Sequence, residues 1–271
     1  MNGQDRYLPD SNRIGLLTST VLLALVLARL IPSSGFDLEA QFPGFLLSLP
    51  LDSTSVMSIL TAGLTATGMD WLLRGHPSLN NRATFQWWLL PTLTAFVISI
   101  PLATLPNSPY WWVGLILGGA FIFFVIFAEY IVVDANAPYY SFSVAGLTSI
   151  SYSLFFVLAI ALAAGNLRLF IILPILFIAA LLAVLRILYL RMSGRWEFAW
   201  SLGISLVCVQ LAAGLHYWPL TPIQFGLLLI GPLYGLISLA VNLNESIPAR
   251  RAALGSSVVA ALCWGLAIFI R

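Results

Sequence analysis

Lysine is absent from this chain: all twelve basic residues are arginine. That excludes a lysine Schiff base, a lysine nucleophile and a P-loop lysine together. Cysteine is almost as scarce. Cys208 and Cys263 stand apart inside apolar runs with no CxxC, so neither a disulfide framework nor a redox pair is expected. Histidine occurs only at 76 and 216. On the span assignment below His76 falls at a cytoplasmic span end and His216 at an external one, so they share no metal, and no cofactor is expected. Charge itself is rare: 8% of the residues are charged, where a water-soluble globule carries about a quarter. The formal net charge of +2 is scattered, which gives no footprint for nucleic acid.

What the chain has instead is apolar length. Hydrophobic residues make up 60% of its 271 positions. A span needs about 20 apolar residues to cross a hydrocarbon core of roughly 30 Å. On that measure the runs 14–31, 53–73, 85–105, 110–133, 141–164, 169–190, 197–216, 223–243 and 253–270 predict nine spans. The run from Tyr110 to Tyr140 shows the pattern best, opening on an aromatic cluster and closing on Glu129 and Asp134. Trp87, Trp88, Trp111, Trp112 and the His216-Tyr217-Trp218 run read as interfacial belts. The fold expected is an all-α polytopic membrane protein.

Between the first two spans, Phe36, Leu38, Ala40 and Phe42 alternate with Asp37, Glu39 and Gln41 before Pro43-Gly44. Period-two alternation followed by a Pro-Gly turn predicts a small β-hairpin, 36–42 and 45–51. Asp37 and Glu39 are costly at membrane depth, which places the hairpin on a membrane face. Most arginines then fall on one side, Arg6, Arg13, Arg74, Arg82, Arg186, Arg191, Arg195, Arg250 and Arg251 among them. The positive-inside rule makes that side cytoplasmic, with the N-terminus inside, and the hairpin and C-terminus outside, in the cytoplasmic membrane of a bacterium.

The chain also echoes itself. Arg82-Ala-Thr-Phe85-Gln-Trp87 matches Arg195-Trp-Glu-Phe198-Ala-Trp200, and at the same offset Pro109 falls on Pro222, Gly118 on Gly231 and Glu129 on Asn242. The spans therefore group as one plus four plus four. Residues 1–52 hold the first span and the hairpin, and 53–165 and 166–271 form two four-helix units in a parallel tandem repeat. Gly114-x-x-x-Gly118 and Gly231-x-x-x-Gly235 would let the equivalent helices pack closely along a central seam.

Candidate chemistry is thin. Asp70 and Arg74 are four apart on one helix and form a structural pair. Glu129 and Asp134 are five apart, on different helix faces, so they are no ready carboxylate dyad. If the helix ends between them, they converge with Asn242, Asn244 and Glu245 near the pseudo-twofold axis, a polar binding cluster with no catalytic residue assigned. No charge stands near the middle of any span, which argues against an ion-coupled transporter.

The hairpin and the stretch GLTATGMDWLLRGHP, Gly63 to Pro77, are similar to multi-spanning proteins of filamentous phototrophic bacteria. The resemblance covers the N-terminal third and implies no activity. Three functions remain in view. The first is a non-catalytic binding or assembly component for lipid, pigment or other membrane subunits, including further copies of itself. The alternative is an uncoupled facilitator of a small neutral or hydrophobic solute, and the third a lipid-modifying enzyme using Glu129 and Asp134.

Overall fold

A computed structural model describes residues 11–31, 35–42, 45–76, 79, 83–106, 108–137, 139–165, 167–192 and 194–270. Among the described residues, nine helices are long and apolar enough to cross a membrane, which makes this a multi-pass membrane protein. They are α1 (Ser11–Leu30), α2 (Ser53–Arg74), α3 (Phe85–Thr104), α4 (Pro109–Val132), α5 (Tyr140–Ala164), α6 (Leu169–Arg191), α7 (Phe198–Leu215), α8 (Pro222–Asn244) and α9 (Ala249–Phe269). Between α1 and α2 the backbone forms strands β1 (Gly35–Phe42) and β2 (Phe45–Asp52), paired antiparallel with Phe42 opposite Phe45 and Gly35 opposite Asp52. The Pro43-Gly44 turn lies outside the described residues.

These helices satisfy their own polar groups, as an apolar solvent demands. Buried hydroxyls donate back to the carbonyl one turn earlier: Thr65 to Thr61 at 2.8 Å, Ser151 to Leu147 at 2.8 Å and Ser205 to Ser201 at 2.7 Å. α8 starts on a capping box, in which Thr221 and Gln224 exchange hydrogen bonds through side chain and backbone. Gln224 Nε2 also donates to the carbonyls of Ala267 (3.1 Å) and Ile270 (2.7 Å), so one residue closes the start of α8 and the end of α9.

The chain divides into two compact units, Met1–Tyr140 and Ser141–Arg271. In the first, α1 packs against both α2 and α4. Leu17 of α1 lies on Gly68 of α2, where a side chain would collide with it, and Leu22 of α1 lies on Gly119 of α4. Ile14, Leu17 and Val21, Met69, Leu72 and Leu73, and Ile122 and Ile126 form the buried core between these helices.

In the second unit, α5 packs on α8: Phe156 and Ile160 cover Gly226, and the Tyr152 and Tyr234 rings lie 5.4 Å apart. The division therefore falls after Tyr140, whereas the sequence repeat draws its line after Gly165 and assigns α5 to the first set.

Both glycine pairs mark close approaches. A methyl on Gly118 would stand 2.7 Å from Ile98 of α3, and one on Gly114 would meet Leu105 beyond α3 at 3.1 Å. Gly231 and Gly235 face α9, where added methyls would reach Cys263 at 2.8 Å and the Ser256 carbonyl at 3.0 Å. Each pair thus seats a neighbour within its own unit.

Candidate functional site

Three helix ends meet at one end of the first unit: the start of α1 and the ends of α2 and α4. Antiparallel crossings require this arrangement for consecutive spans. α4 stops at Val132, between the two candidate acids. Glu129 is left in the last turn and fully buried, while Asp134 sits in the turn beyond, its Oδ1 accepting from the Asn136 backbone N–H at 2.9 Å. Arg13 comes from the first turn of α1. Its guanidinium lies 5.7 Å over the Trp71 ring and rests against Gly75, where a side chain would displace it.

Gly75, just past α2, brings His76 inward. The His76 ring is buried and stacks at 4.4 Å on that of Tyr130 with a 58° tilt. Burial holds the imidazole below the usual histidine pKa, and the Asp134 charge opposes that shift in part. Arg13, Leu72, Gly75 and Tyr130 line a cavity of about 220 Å³. Beside it, Asp70 accepts from both Arg74 Nε (2.8 Å) and the Thr84 hydroxyl, tying the end of α2 to the start of α3.

Glu129 and Asp134 thus belong to one polar end. Asn242 and Glu245 belong to the second unit. Asn242 is half-buried in the last turn of α8 and its carbonyl accepts from Ile247 N–H at 3.0 Å, while Glu245 is exposed just past the helix.

The sequence reading missed Arg13, Gly75, His76 and Tyr130 as site residues and assigned His76 to the end of its span without a role. The signal available was the Gly-His-Pro stop after α2, since a glycine at a helix end leaves room for another segment to come close. A second omission lies in α6. Arg186 was counted with the cytoplasmic charges, yet it is fully buried inside the helix with its guanidinium 5.5 Å over the Tyr189 ring. Neither residue stands near the middle of its span: Arg186 and Glu129 are both buried toward the ends of their helices. Among the described residues, no group of three or more His, Cys, Asp or Glu comes together as a metal ion would require.

A second cavity, of about 210 Å³, lies in the second unit between the ends of α5 and α7 and the starts of α6 and α8. Ala163, Ile172, Leu215, Phe225, His216 and Trp218 are among the residues lining it.

Residues 33–270 match the model of a family described as "Protein of unknown function (DUF5656)", and the chain belongs to that family. No curated protein matches the chain. No solved structure matches it either.

Proposed function

We propose that this protein is a non-catalytic binding component of the cytoplasmic membrane, and that the polar end of its first unit holds a membrane lipid by the headgroup. The observation that carries this reading is the cavity between Arg13, Leu72, Gly75 and Tyr130. It lies at helix ends, the depth at which headgroups meet protein, and its walls supply a cation, a phenol and an apolar floor. A guanidinium binds phosphate oxygens in fork geometry, and Trp71 beside it suits the interface. Further copies of the chain, or other membrane subunits, are the remaining partners in this reading.

The orientation belongs to the same proposal. The N-terminus is cytoplasmic, and the hairpin and C-terminus are external, supported by the arginine bias toward the end where Arg13 and Arg74 stand. The tandem relation is proposed for α2–α4 against α6–α8. It is supported by helix starts: α3 and α7 begin on the matched Phe85 and Phe198, and α4 and α8 on the matched Pro109 and Pro222. On this relation Asn242 and Glu245 are the second unit's counterparts of Glu129 and Asp134.

The test is native mass spectrometry of the full chain extracted in mild detergent. Retained lipid that falls severalfold in the Arg13→Gln variant is expected. Lipid-free protein of unchanged thermal stability would overturn the reading. For orientation, cysteines placed singly at Glu39 and Asp134, in a chain without Cys208 and Cys263, should label from opposite sides, with Glu39 external.

A further inference from the structure

We infer that α7 is a self-association surface: in the membrane it pairs with α7 of a second copy of this chain, and the Gln210 amides of the two copies exchange hydrogen bonds. The inference gives a surface to the further copies named above and does not rest on the lipid cavity of the first unit.

It follows from where α7 puts its polar groups. Ser201, Ile204, Ser205, Cys208 and Ala212 are buried and share one face, on the side of α6 and α8. The two hydroxyls there are satisfied, Ser201 by the Glu197 carbonyl at 2.8 Å and Ser205 by the Ser201 carbonyl at 2.7 Å. Gln210 follows Cys208 by two residues, about 200° round the helix, so it stands on the opposite face. That face is exposed at Ala199, Gly203, Leu206 and Gln210, and a methyl on Gly203 or Gly214 would meet no described atom within 4 Å. Among the described residues the Gln210 amide has no hydrogen-bond partner.

Exposure here means lipid. α7 has 18 residues, about 27 Å at 1.5 Å each, so it fits within a hydrocarbon core of roughly 30 Å. Gln210 lies five residues before its end. A helical side chain leans toward the start of its helix, so this one leans away from the nearer membrane face and toward the middle of the span. An acyl chain offers its amide neither donor nor acceptor, and a polar group left so is costly.

A second copy supplies both. Copies inserted the same way up place two α7 helices in parallel about a two-fold axis along the membrane normal, where each residue on the axis faces its own equivalent at equal depth. An amide donates and accepts, so it is complementary to itself, whereas a carboxylate or guanidinium would repel its equivalent. Ala199, Gly203, Leu206, Gln210 and Ala213 are spaced four, three, four and three, the period of a left-handed helix pair, and the small residues among them let the backbones approach. A different protein would have to bring its own polar group to this depth; an identical chain has one there already.

The experiment is disulfide cross-linking of the full chain reconstituted in phospholipid vesicles at graded dilution in lipid. Single cysteines replace Leu206, on the seam, or Trp200, which is exposed about 100° round the helix from Ala199, in chains without Cys208 and Cys263. Leu206→Cys should give covalent dimers of the chain, and Trp200→Cys severalfold fewer. Adding Gln210→Leu to Leu206→Cys should shift the dilution midpoint toward monomer by about threefold to thirtyfold, the worth of one or two such hydrogen bonds in a membrane. Gln210→Asn keeps an amide and should restore most of that shift. Thermal unfolding of the Gln210→Leu monomer should be unchanged, since the side chain touches nothing in its own chain.

No covalent dimer from Leu206→Cys overturns the inference, and a chain that forms none yet still retains lipid leaves the lipid-binding reading standing. Equal cross-linking from both positions overturns the assignment to this face. A Gln210→Leu chain that dimerises as well as the unaltered one overturns the role of the amide. A cross-link from position 206 to a different protein, formed in the native membrane, gives the face to another subunit and overturns the second copy.

Discussion

Substituting alanine for Gly231 tests whether α8 and α9 are held at the distance the structure gives. The new Cβ would stand 2.8 Å from Cys263 Cβ, 3.2 Å from the Ala260 carbonyl oxygen and 3.3 Å from Ala260 Cα. Ordinary carbon contacts lie at about 3.5–4.0 Å, so α9 must retreat by about half an ångström or more, and two of the three atoms in the way are backbone. Overpacking of this kind costs about 1–3 kcal/mol. Alanine returns up to about 1 kcal/mol through helix propensity. With the full propensity gain the net loss is about 0–2 kcal/mol, and the gap to a glycine with open space beside it is the whole overpacking cost.

Gly203 of α7 is the control, since a methyl there meets nothing within 4 Å and propensity alone should stabilise it by up to about 1 kcal/mol. Gly118→Ala should fall between them, because the one atom under 3 Å is a side-chain methyl, the Cγ2 of Ile98, and not backbone. The assay is thermal unfolding in one detergent at one scan rate, since membrane protein unfolding is often irreversible and then depends on rate. A Gly231→Ala protein as stable as Gly203→Ala would refute the packing argument.

Three further outcomes follow from named contacts. His76 is held below its ordinary pKa of 6.5 when folded, so the unfolded chain binds its proton first. Stability should therefore be full above pH 6.5 and fall as the pH drops toward the folded pKa; His76→Phe keeps a ring on Tyr130 and should flatten that slope between pH 7 and 5, whereas an unchanged slope assigns it to another group. Gln224→Ala removes the two hydrogen bonds to Ala267 and Ile270, and should raise amide exchange over the last turn of α9 while leaving α6 and α7 as they were. Arg186→Ala removes a fully buried side chain and its contact with Tyr189, and should cost at least about 2 kcal/mol in thermal unfolding, with Arg186→Met less damaging because it refills most of the volume.

The number and placement of the spans were readable because length decides them: an uninterrupted apolar run of the right size has no other stable place in the chain. The expected span 85–105 and the helix Phe85–Thr104 differ by one residue, and 169–190 and Leu169–Arg191 likewise. Which faces meet was not readable in the same way. In lipid an outward leucine is as well placed as an inward one, so apolar periodicity carries little about packing. Gly118 and Gly231 marked tight faces, but a glycine records only that something comes close. The burial of Arg186 was unreadable for a related reason: it lies five residues before the end of α6, and whether that depth is wet depends on neighbours the linear sequence does not order.

The polar end of the first unit was half legible, and the half that was missed shows why. Glu129 and Asp134 stood out because acids beside a long apolar run are conspicuous. His76, Gly75 and Arg13 did not, because each has an ordinary local explanation as an interfacial ring, a helix stop and a positive-inside charge. Their joint role depends on α1 and α2 being folded back so that Arg13 rests on Gly75, a contact between residues sixty-two positions apart. The family match covers residues 33–270, so Gly75, His76, Glu129, Tyr130 and Asp134 fall within it, while Arg13 and all of α1 precede it. Arg13→Gln thus separates two contributions. Lipid retention lost with it depends on a cation supplied from outside the matched region, and retention kept would assign the headgroup to the ends of α2 and α4 alone.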